Sequence, residues 1–240
     1  MLMRLGQWRD IVAPLRTGVA SAERLGDPLA RALMHYELGW ACCCLGELDE
    51  ADASMQRALE IATASGDQAT AARAHYGLVL LLDGQGRHAE ALPHAQEALR
   101  LRSSHGNQAA VAYAENVLGW IYANLGQHAE ALRHCTRALD LHRESGSRSG
   151  IADTLDSIAF AFQGLGDHEQ AIAHYQRAVV IFREIGDPRG EAKSLTRLGD
   201  AQLAVGRRNH ARANWQRALT LVANMPGGDS DQVRDRLASV

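Results

Sequence analysis

The sequence has little of what marks several common classes of protein. Its 240 residues include four cysteines, five prolines and one lysine, Lys193. The most apolar run, Leu78–Leu82, is far shorter than the roughly 18 residues that a membrane-spanning helix needs, so no membrane association is expected. The first ten residues carry charges and no long apolar segment, and a signal peptide is therefore not expected either.

The cysteines and the charges narrow the classes further. Three of the four cysteines are adjacent, at 42–44, which does not fit the spaced pairs of a secreted disulfide scaffold, and we expect a cytoplasmic protein. The formal net charge of −3 lacks the positive excess on which general nucleic-acid binding depends, so direct nucleic-acid contact is not expected. Arginine in place of almost every lysine is typical of GC-rich coding sequences and predicts a bacterial source.

Glycine organises the chain. Eleven glycines recur at every twentieth position and alternate between two sequence contexts, so that the full repeat spans two of these intervals. Glycine tolerates the left-handed conformation that ends a helix, and the Asp or Asn that often follows can cap the next helix. The interval between two such glycines is therefore predicted to hold one helix of about 17 to 18 residues and a tight turn. The positions are Gly6, Gly26, Gly46, Gly66, Gly86, Gly106, Gly126, Gly146, Gly166, Gly186 and Gly206.

Between the glycines, apolar residues recur at helical spacing and predict a buried stripe. In the first complete copy they include Ala51, Met55, Ala58 and Ala62, and the second copy has Arg102 at the last of these places. Each helical unit can bury such a stripe only against its neighbours. This arrangement predicts a solenoid of stacked repeats.

The register divides the chain into three parts, with the boundaries 1–25, 26–225 and 226–240. The first part aligns with the second helix of a repeat only, and the second part holds five complete repeats. The third part is predicted to form a short C-terminal capping helix with Val233, Leu237 and Val240 on one face.

The N-terminal half repeat carries two expectations. Because the chain begins in the middle of a repeat, we expect it to be a piece of a longer protein. Met1, Leu2 and Leu5 then lack a partner helix and would expose apolar surface. Surface of this kind often drives association, so self-association through the N-terminal half repeat is predicted.

The repeat resembles the tetratricopeptide repeat. The signature of that family pairs Leu-Gly-x2-Tyr on a first helix with Ala-x3-Phe on a second, and Leu118–Tyr122 matches the first part. Ala171 with Tyr175 and Ala211 with Trp215 supply the second part. The 40-residue length resembles the long-helix subtype found in kinesin light chains and bacterial regulators. The resemblance implies an all-α solenoid, a right-handed superhelix of antiparallel helix pairs, that binds proteins or peptides.

A second resemblance concerns the larger protein. The Gln-Arg-Ala-Leu motif at Gln56–Leu59 and Gln216–Leu219, with the tail Asp231–Leu237, is similar to the ends of actinobacterial antibiotic-regulatory and STAND-type transcriptional regulators. It implies a non-catalytic sensor or interaction region of such a regulator. A stand-alone peptide receptor or adaptor stays open as an alternative, as does a small-molecule site or an enzyme on the same fold.

The family resemblance also implies where a partner binds. In tetratricopeptide proteins the ligand groove is lined by the second, fifth, ninth and twelfth or thirteenth places of each repeat. Aromatic side chains there are typical binding anchors, although Trp40 and Trp120 could instead brace adjacent helices. Asn116 and Asn124 could hold a ligand's backbone amides, and the acidic residues favour a ligand with a basic end. The candidates are Tyr36, Trp40, Arg73, Tyr76, Tyr113, Asn116, Trp120, Asn124, Asp153, Asp156, Phe160 and Asp200.

No catalytic residue, metal site or cofactor is predicted. The run Gly84–Ala89 resembles a dinucleotide-binding glycine pattern, but that pattern works only after a strand and none is predicted here. Equivalent histidines of stacked repeats, such as His94 and His134, are separated by about two helix diameters and cannot share one ion. The adjacent cysteines at 42–44 project about 100° apart on a helix, so at most two could face one ion.

Overall fold

The computed structural model describes residues 5–104, 106–223, 225 and 230–239, with side chains from residue 10 onward. These residues form twelve α-helices and no strand, which confirms the all-α prediction. None of the helices in these ranges combines the length and the apolar character of a membrane span. The helices are α1 Leu5–Leu25, α2 Pro28–Leu45, α3 Leu48–Ser65, α4 Gln68–Gly84, α5 His88–Ser104, α6 Gln108–Asn124, α7 His128–Glu144, α8 Arg148–Gly164, α9 His168–Glu184, α10 Pro188–Ala204, α11 Arg208–Val222 and α12 Ser230–Ala238.

Left-handed glycines follow the helices as predicted. Ten of the glycines, at every twentieth position from Gly26 to Gly206, have φ between 67° and 80°. After α2, the N–H of Gly46 donates to the carbonyl of Cys42, a group that the helix itself leaves unpaired. Asp67 then caps α4 by accepting the N–H of Thr70 at 3.1 Å. Sequence-local chemistry therefore sets both ends of a typical helix.

Gly6 is the exception among the eleven glycines. It lies inside α1, and the prediction of a turn at this position is wrong. No helix precedes α1 in the part of the chain that the structure describes, so there is no helix end for Gly6 to close. The 20-residue spacing of the glycines thus begins one interval earlier, at Gly6, than the turns between helices, which begin at Gly26.

The chain forms two compact units, Met1–Asn107 and Gln108–Val240, a division that the uniform repeat does not predict. In the first unit, α1 to α5 pack against one another in chain order. The predicted stripe is buried there, since Ala51, Met55 and Ala58 are at most 1% exposed. Alanines at two fixed places let consecutive helices approach closely.

Arg102 departs from the predicted stripe. Its guanidinium lies 4.5 Å from the centre of the Tyr76 ring and the side chain is half-buried, whereas the neighbouring Leu101 is buried. A guanidinium is costly to bury, and an aromatic face offers it a favourable contact. The charge therefore turns this position away from the core.

In the second unit, α6 to α11 pack in chain order, and α8 also contacts α6 and α10. The stripe alanines at 131, 138, 171, 178, 211 and 218 have no exposed surface. A Cβ on Gly119 would overlap the Sγ of Cys135, and a Cβ on Gly199 would overlap the ring of Trp215. Small residues on the first helices thus make room for larger ones on the second.

The short helix α12 closes the core of the second unit. Val233 is buried in a cluster with Trp215 and Val222, and Leu237 packs against the same cluster. These contacts match the predicted apolar face. Val240, which was predicted on that face too, lies outside the described residues.

The predicted apolar N-terminal end also falls outside the description. Met1 and Leu2 are not among the described residues, and of Leu5 only the backbone is described. Self-association through this end stays a prediction.

Candidate functional site

The candidate residues of the first unit lie on the first helices of two repeats, α2 and α4. Tyr36, Trp40 and Tyr76 are half-buried, and Arg73 is exposed. The guanidinium of Arg102 from α5 covers the ring of Tyr76. This part of the first unit therefore presents aromatic rings together with cationic groups.

In the second unit, two aromatic rings meet where α6 contacts α8. The ring centres of Trp120 and Phe160 are 4.8 Å apart, with an angle of 36° between their planes, and both side chains are half-buried. We call this pair the aromatic platform. The guanidinium of Arg197 lies 4.5 Å from the Trp120 ring centre and 5.3 Å from that of Phe160, and the Lys193 Nζ lies 5.1 Å from Trp120. Two cations from α10 thus lie over the rings of the platform.

A buried carboxylate holds Arg197 in this position. Asp156 is 4% exposed, pairs with the Arg197 guanidinium and accepts a hydrogen bond of 2.7 Å from the Ser194 hydroxyl. A buried carboxylate is stable only when it is paired, and both partners come from α10. Asp156 is therefore tied up within the protein, whereas the sequence suggested that it faces a ligand.

The other two acidic candidates differ from each other. Asp200 accepts a hydrogen bond of 2.7 Å from Nε of Arg236, so it fastens α12 to α10. Asp153 keeps exposed surface, while desolvation by the surrounding protein raises its carboxyl pKa to about 6 and the charge of Lys193 opposes the shift. Two of the three carboxylates are thus neutralised by arginine. Of the three carboxylates that the sequence predicted for a basic ligand, Asp153 is the exposed one.

The polar candidates on α6 also have partners within the protein. Asn116 is buried, and its amide oxygen lies 3.8 Å from the Sγ of Cys135 on α7. The Asn124 amide donates to the backbone carbonyl of Trp120 at 2.9 Å, one turn back in the same helix. Tyr113 stays half-buried, with its hydroxyl 3.4 Å from that of Ser147. Asn116 is a core residue here because the close contact of α6 with α7 covers its side chain.

Arg197 is the important side chain that the repeat rule missed. The rule selects Asp200 on α10 but not the arginine one helical turn before it. A signal was present in the sequence, because Arg189, Lys193 and Arg197 follow one another at intervals of four residues. Side chains with this spacing share one face of a helix.

One cluster in the first unit brings together three side chains of the types that bind metal ions. Metal ions in proteins are bound by His, Cys, Asp and Glu side chains. Among the described residues, one group of three such side chains lies close enough together to surround an ion, and it consists of Cys42, Glu47 and Glu50. Arg16 already contacts both carboxylates, at 3.2 Å and 2.5 Å. Desolvation, reinforced by Glu50, raises the pKa of the Cys42 thiol to about 12, so this thiol is neutral beside the ion pairs. The cluster is an ion-pair network.

The repeat pattern identifies the family. A family model of the tetratricopeptide repeat matches residues 29–104, 108–184 and 150–224, which together cover most of the chain. The protein therefore belongs to the tetratricopeptide repeat family, as the resemblance of its sequence implies. No curated protein sequence matches it.

Solved structures share the fold. The protein is similar to BtubC (BKLC) from P. vanneervenii, with 22% identity and a TM-score of 0.72 over 92% of each chain. RapI in its apo form gives 12% identity and a TM-score of 0.73 over 97% of this chain and 93% of that one. A signal transduction ATPase with numerous domains (STAND) and a tetratricopeptide repeat sensor, from Pyrococcus horikoshii, gives 15% identity and a TM-score of 0.69 over 92% of this chain and 38% of that one. At these identities the likeness establishes the fold.

Proposed function

We propose that this protein is a non-catalytic scaffold that binds a protein or peptide segment over the aromatic platform of the second unit. The observation that carries the proposal is the pair of half-buried rings, Trp120 and Phe160, with the cations of Lys193 and Arg197 over them. Large aromatic side chains with access to solvent are typical anchors in binding surfaces. Trp120 itself is not among the buried residues of the helix-pair cores.

The state of the buried carboxylates supports the absence of catalysis. Glu115 lies 2.6 Å from Nδ1 of His134 and 3.0 Å from Arg137, and Asp156 pairs with Arg197. Each of these carboxylates serves a contact between helices. Groups engaged in this way are held as ion-pair partners and not as acids or bases for a substrate.

We further propose that the chain is the sensor or interaction region of a larger bacterial transcriptional regulator that works in the cytoplasm. The tail at 231–237 with the Gln-Arg-Ala-Leu repeats supports this proposal, as does the likeness to a STAND protein that has a sensor of this fold. The size of the native polypeptide in cell extracts tests it, using an antibody against this chain. A product well above 26.0 kDa, with a DNA-binding or ATPase module in the same reading frame, is expected. A native product of 26.0 kDa would favour the stand-alone receptor or adaptor instead.

The binding site is tested by a matched pair of tryptophan exchanges. Trp120 and Trp40 occupy the same place in two repeats, one in each unit. Peptides selected by display against the full chain are measured by fluorescence anisotropy with Trp120→Ala and Trp40→Ala. Loss of an aromatic anchor costs about 2 kcal/mol, so Trp120→Ala is expected to weaken binding about 30-fold. Trp40→Ala is expected to leave the affinity unchanged.

Two results would contradict this assignment. If Trp120→Ala lowers the unfolding midpoint and leaves the affinity of the folded protein unchanged, Trp120 is a brace between α6 and α8. If the selected peptides lose affinity with Trp40→Ala instead, the binding surface lies in the first unit.

A further inference from the structure

A pocket beside the aromatic platform is lined by cations. It lies between α10 and α12, has a volume of about 430 Å³ and is bounded by Arg189, Lys193, Arg197 and Arg236. We call it the basic pocket. The volume falls in the range of roughly 300–1,000 Å³ that is usual for ligand sites. None of the described residues that line it is acidic.

The spacing of these charges is unfavourable for an isolated helix. Arg189, Lys193 and Arg197 follow one another at intervals of four residues, so like charges lie side by side on one face of α10. Arg189 also lies in the first turn, where the helix dipole disfavours a cation. The three cations together offer positive charge to a bound anion.

Two of the four cations are held from behind. Asp156 pairs with Arg197, and Asp200 accepts a hydrogen bond from Nε of Arg236. Each guanidinium has five N–H donors, so donors remain for a ligand after these contacts are made. Because the side chains are already ordered, little further entropy is lost when they bind an anion.

The pocket is continuous with the platform. Lys193 and Arg197 line the pocket and also lie within 5.1 Å of the Trp120 ring centre. Apolar surface from Val222 and Val233 lies beside the charges. A peptide segment that covers the platform therefore reaches the pocket with a neighbouring side chain.

We propose that the basic pocket binds acidic side chains of the segment that covers the aromatic platform. The proposal rests on the proposed function and gives the partner a charge, since Asp and Glu carboxylates pair with arginine through two parallel hydrogen bonds. It reverses the expectation of a basic ligand. The reason is that two of the three carboxylates that suggested a basic ligand, Asp156 and Asp200, are paired with arginines of the pocket.

The test is a display selection of random peptides against the immobilised full chain at low and at high ionic strength. Peptides enriched in Asp and Glu beside an apolar residue are expected, with weaker recovery at high salt because exposed charges are screened. Recovered peptides with no acidic preference, or with a basic one, would overturn the basic pocket and leave the proposed scaffold function intact. Recovery no better than from the uncoated support would overturn both.

Variants that remove one positive charge each show which cations of the basic pocket contact the acidic peptide. With an acidic peptide from the selection, Lys193→Gln and Arg189→Gln are each expected to lower the affinity about tenfold, the usual effect of losing one hydrogen bond to a charged group. Arg212→Gln is the matched control, because it removes the same charge from an exposed position of α11 that does not line the pocket. It is expected to leave the affinity unchanged.

Circular dichroism of each variant shows whether the fold is retained. Lys193 is exposed, so its exchange leaves the helices intact. Equal losses in all three variants would show a general charge effect and overturn the pocket, as would full affinity in both pocket variants.

Discussion

The exchange Asp156→Ala removes the carboxylate that holds Arg197 over the aromatic platform. Asp156 is 4% exposed, and it accepts hydrogen bonds from Ser194 and Arg197 on the neighbouring repeat. Without it, the Arg197 side chain, which is 19% exposed, keeps its charge but has lost its partner. Removing one member of a buried ion pair costs about 3–5 kcal/mol. Because Arg197 retains some access to water, we expect the lower end of this range, about 3 kcal/mol.

Thermal and urea unfolding followed by circular dichroism measure this loss. For a protein of this size, a loss of about 1 kcal/mol lowers the unfolding midpoint by about 2–4 °C, so a decrease of about 6–12 °C is expected. Glu144→Ala is the control. Glu144 is an exposed carboxylate at the end of α7, and its exchange should change the stability by no more than about 0.5 kcal/mol.

A double-mutant cycle separates the ion pair from general damage to α8. If Arg197→Met accompanies Asp156→Ala, no unpaired charge is left, and the double variant should be more stable than the sum of the two single losses predicts. An unchanged midpoint for Asp156→Ala would refute the reasoning. Strictly additive losses would refute it as well, because they would mean that Asp156 and Arg197 contribute independently.

Two further predictions concern stability. Desolvation, with a contribution from the neighbouring His94, lowers the pKa of His75 to about 4, below the unfolded value of about 6.5. The contribution of His75 to the free energy of unfolding is then fully present above about pH 6.5 and declines as the pH falls towards 4, by an amount on the order of 2 kcal/mol. Urea unfolding of the wild type and of His75→Gln at several pH values measures this, and the variant should lose less stability in acid. Ala131→Trp should abolish cooperative unfolding of the second unit. Ala131 has no exposed surface, and a large side chain there forces α6 and α7 apart at a cost of about 3 kcal/mol. Thr136→Trp, at an exposed position of the same helix, should unfold like the wild type.

Most of the fold could be predicted because its determinants are local in sequence. A left-handed glycine ends a helix wherever it stands, as Gly46 does after α2, and an aspartate such as Asp67 caps the helix that follows. The stripe of Ala51, Met55 and Ala58 follows from the helical period alone. Arg102 failed this rule because periodicity records a position and not the cost of burying a charge.

The candidate site could be predicted only in outline. The repeat rule selected both Trp120 and Phe160, but it did not predict that their rings meet at 4.8 Å, closer than the two helix diameters expected between equivalent places of stacked repeats. It could not show that Asn116 is covered by α7, because burial depends on how closely two helices approach. It also omitted Arg197, which is not at a place that the rule selects.

The sequence by itself determined the helices, the positions of their turns and the small residues between them, because each depends on neighbours within one or two helical turns. Only the tertiary structure decided which charges meet. Asp156 and Arg197 are 41 residues apart, and Asp200 and Arg236 are 36 residues apart. On its own helix each of these side chains could equally face solvent, and the pairing arises only when a neighbouring helix places an opposite charge within reach. Helix geometry repeats along the chain, whereas electrostatic pairing depends on distances between helices. For this reason the sequence suggested an acidic surface, and the folded protein presents a basic pocket.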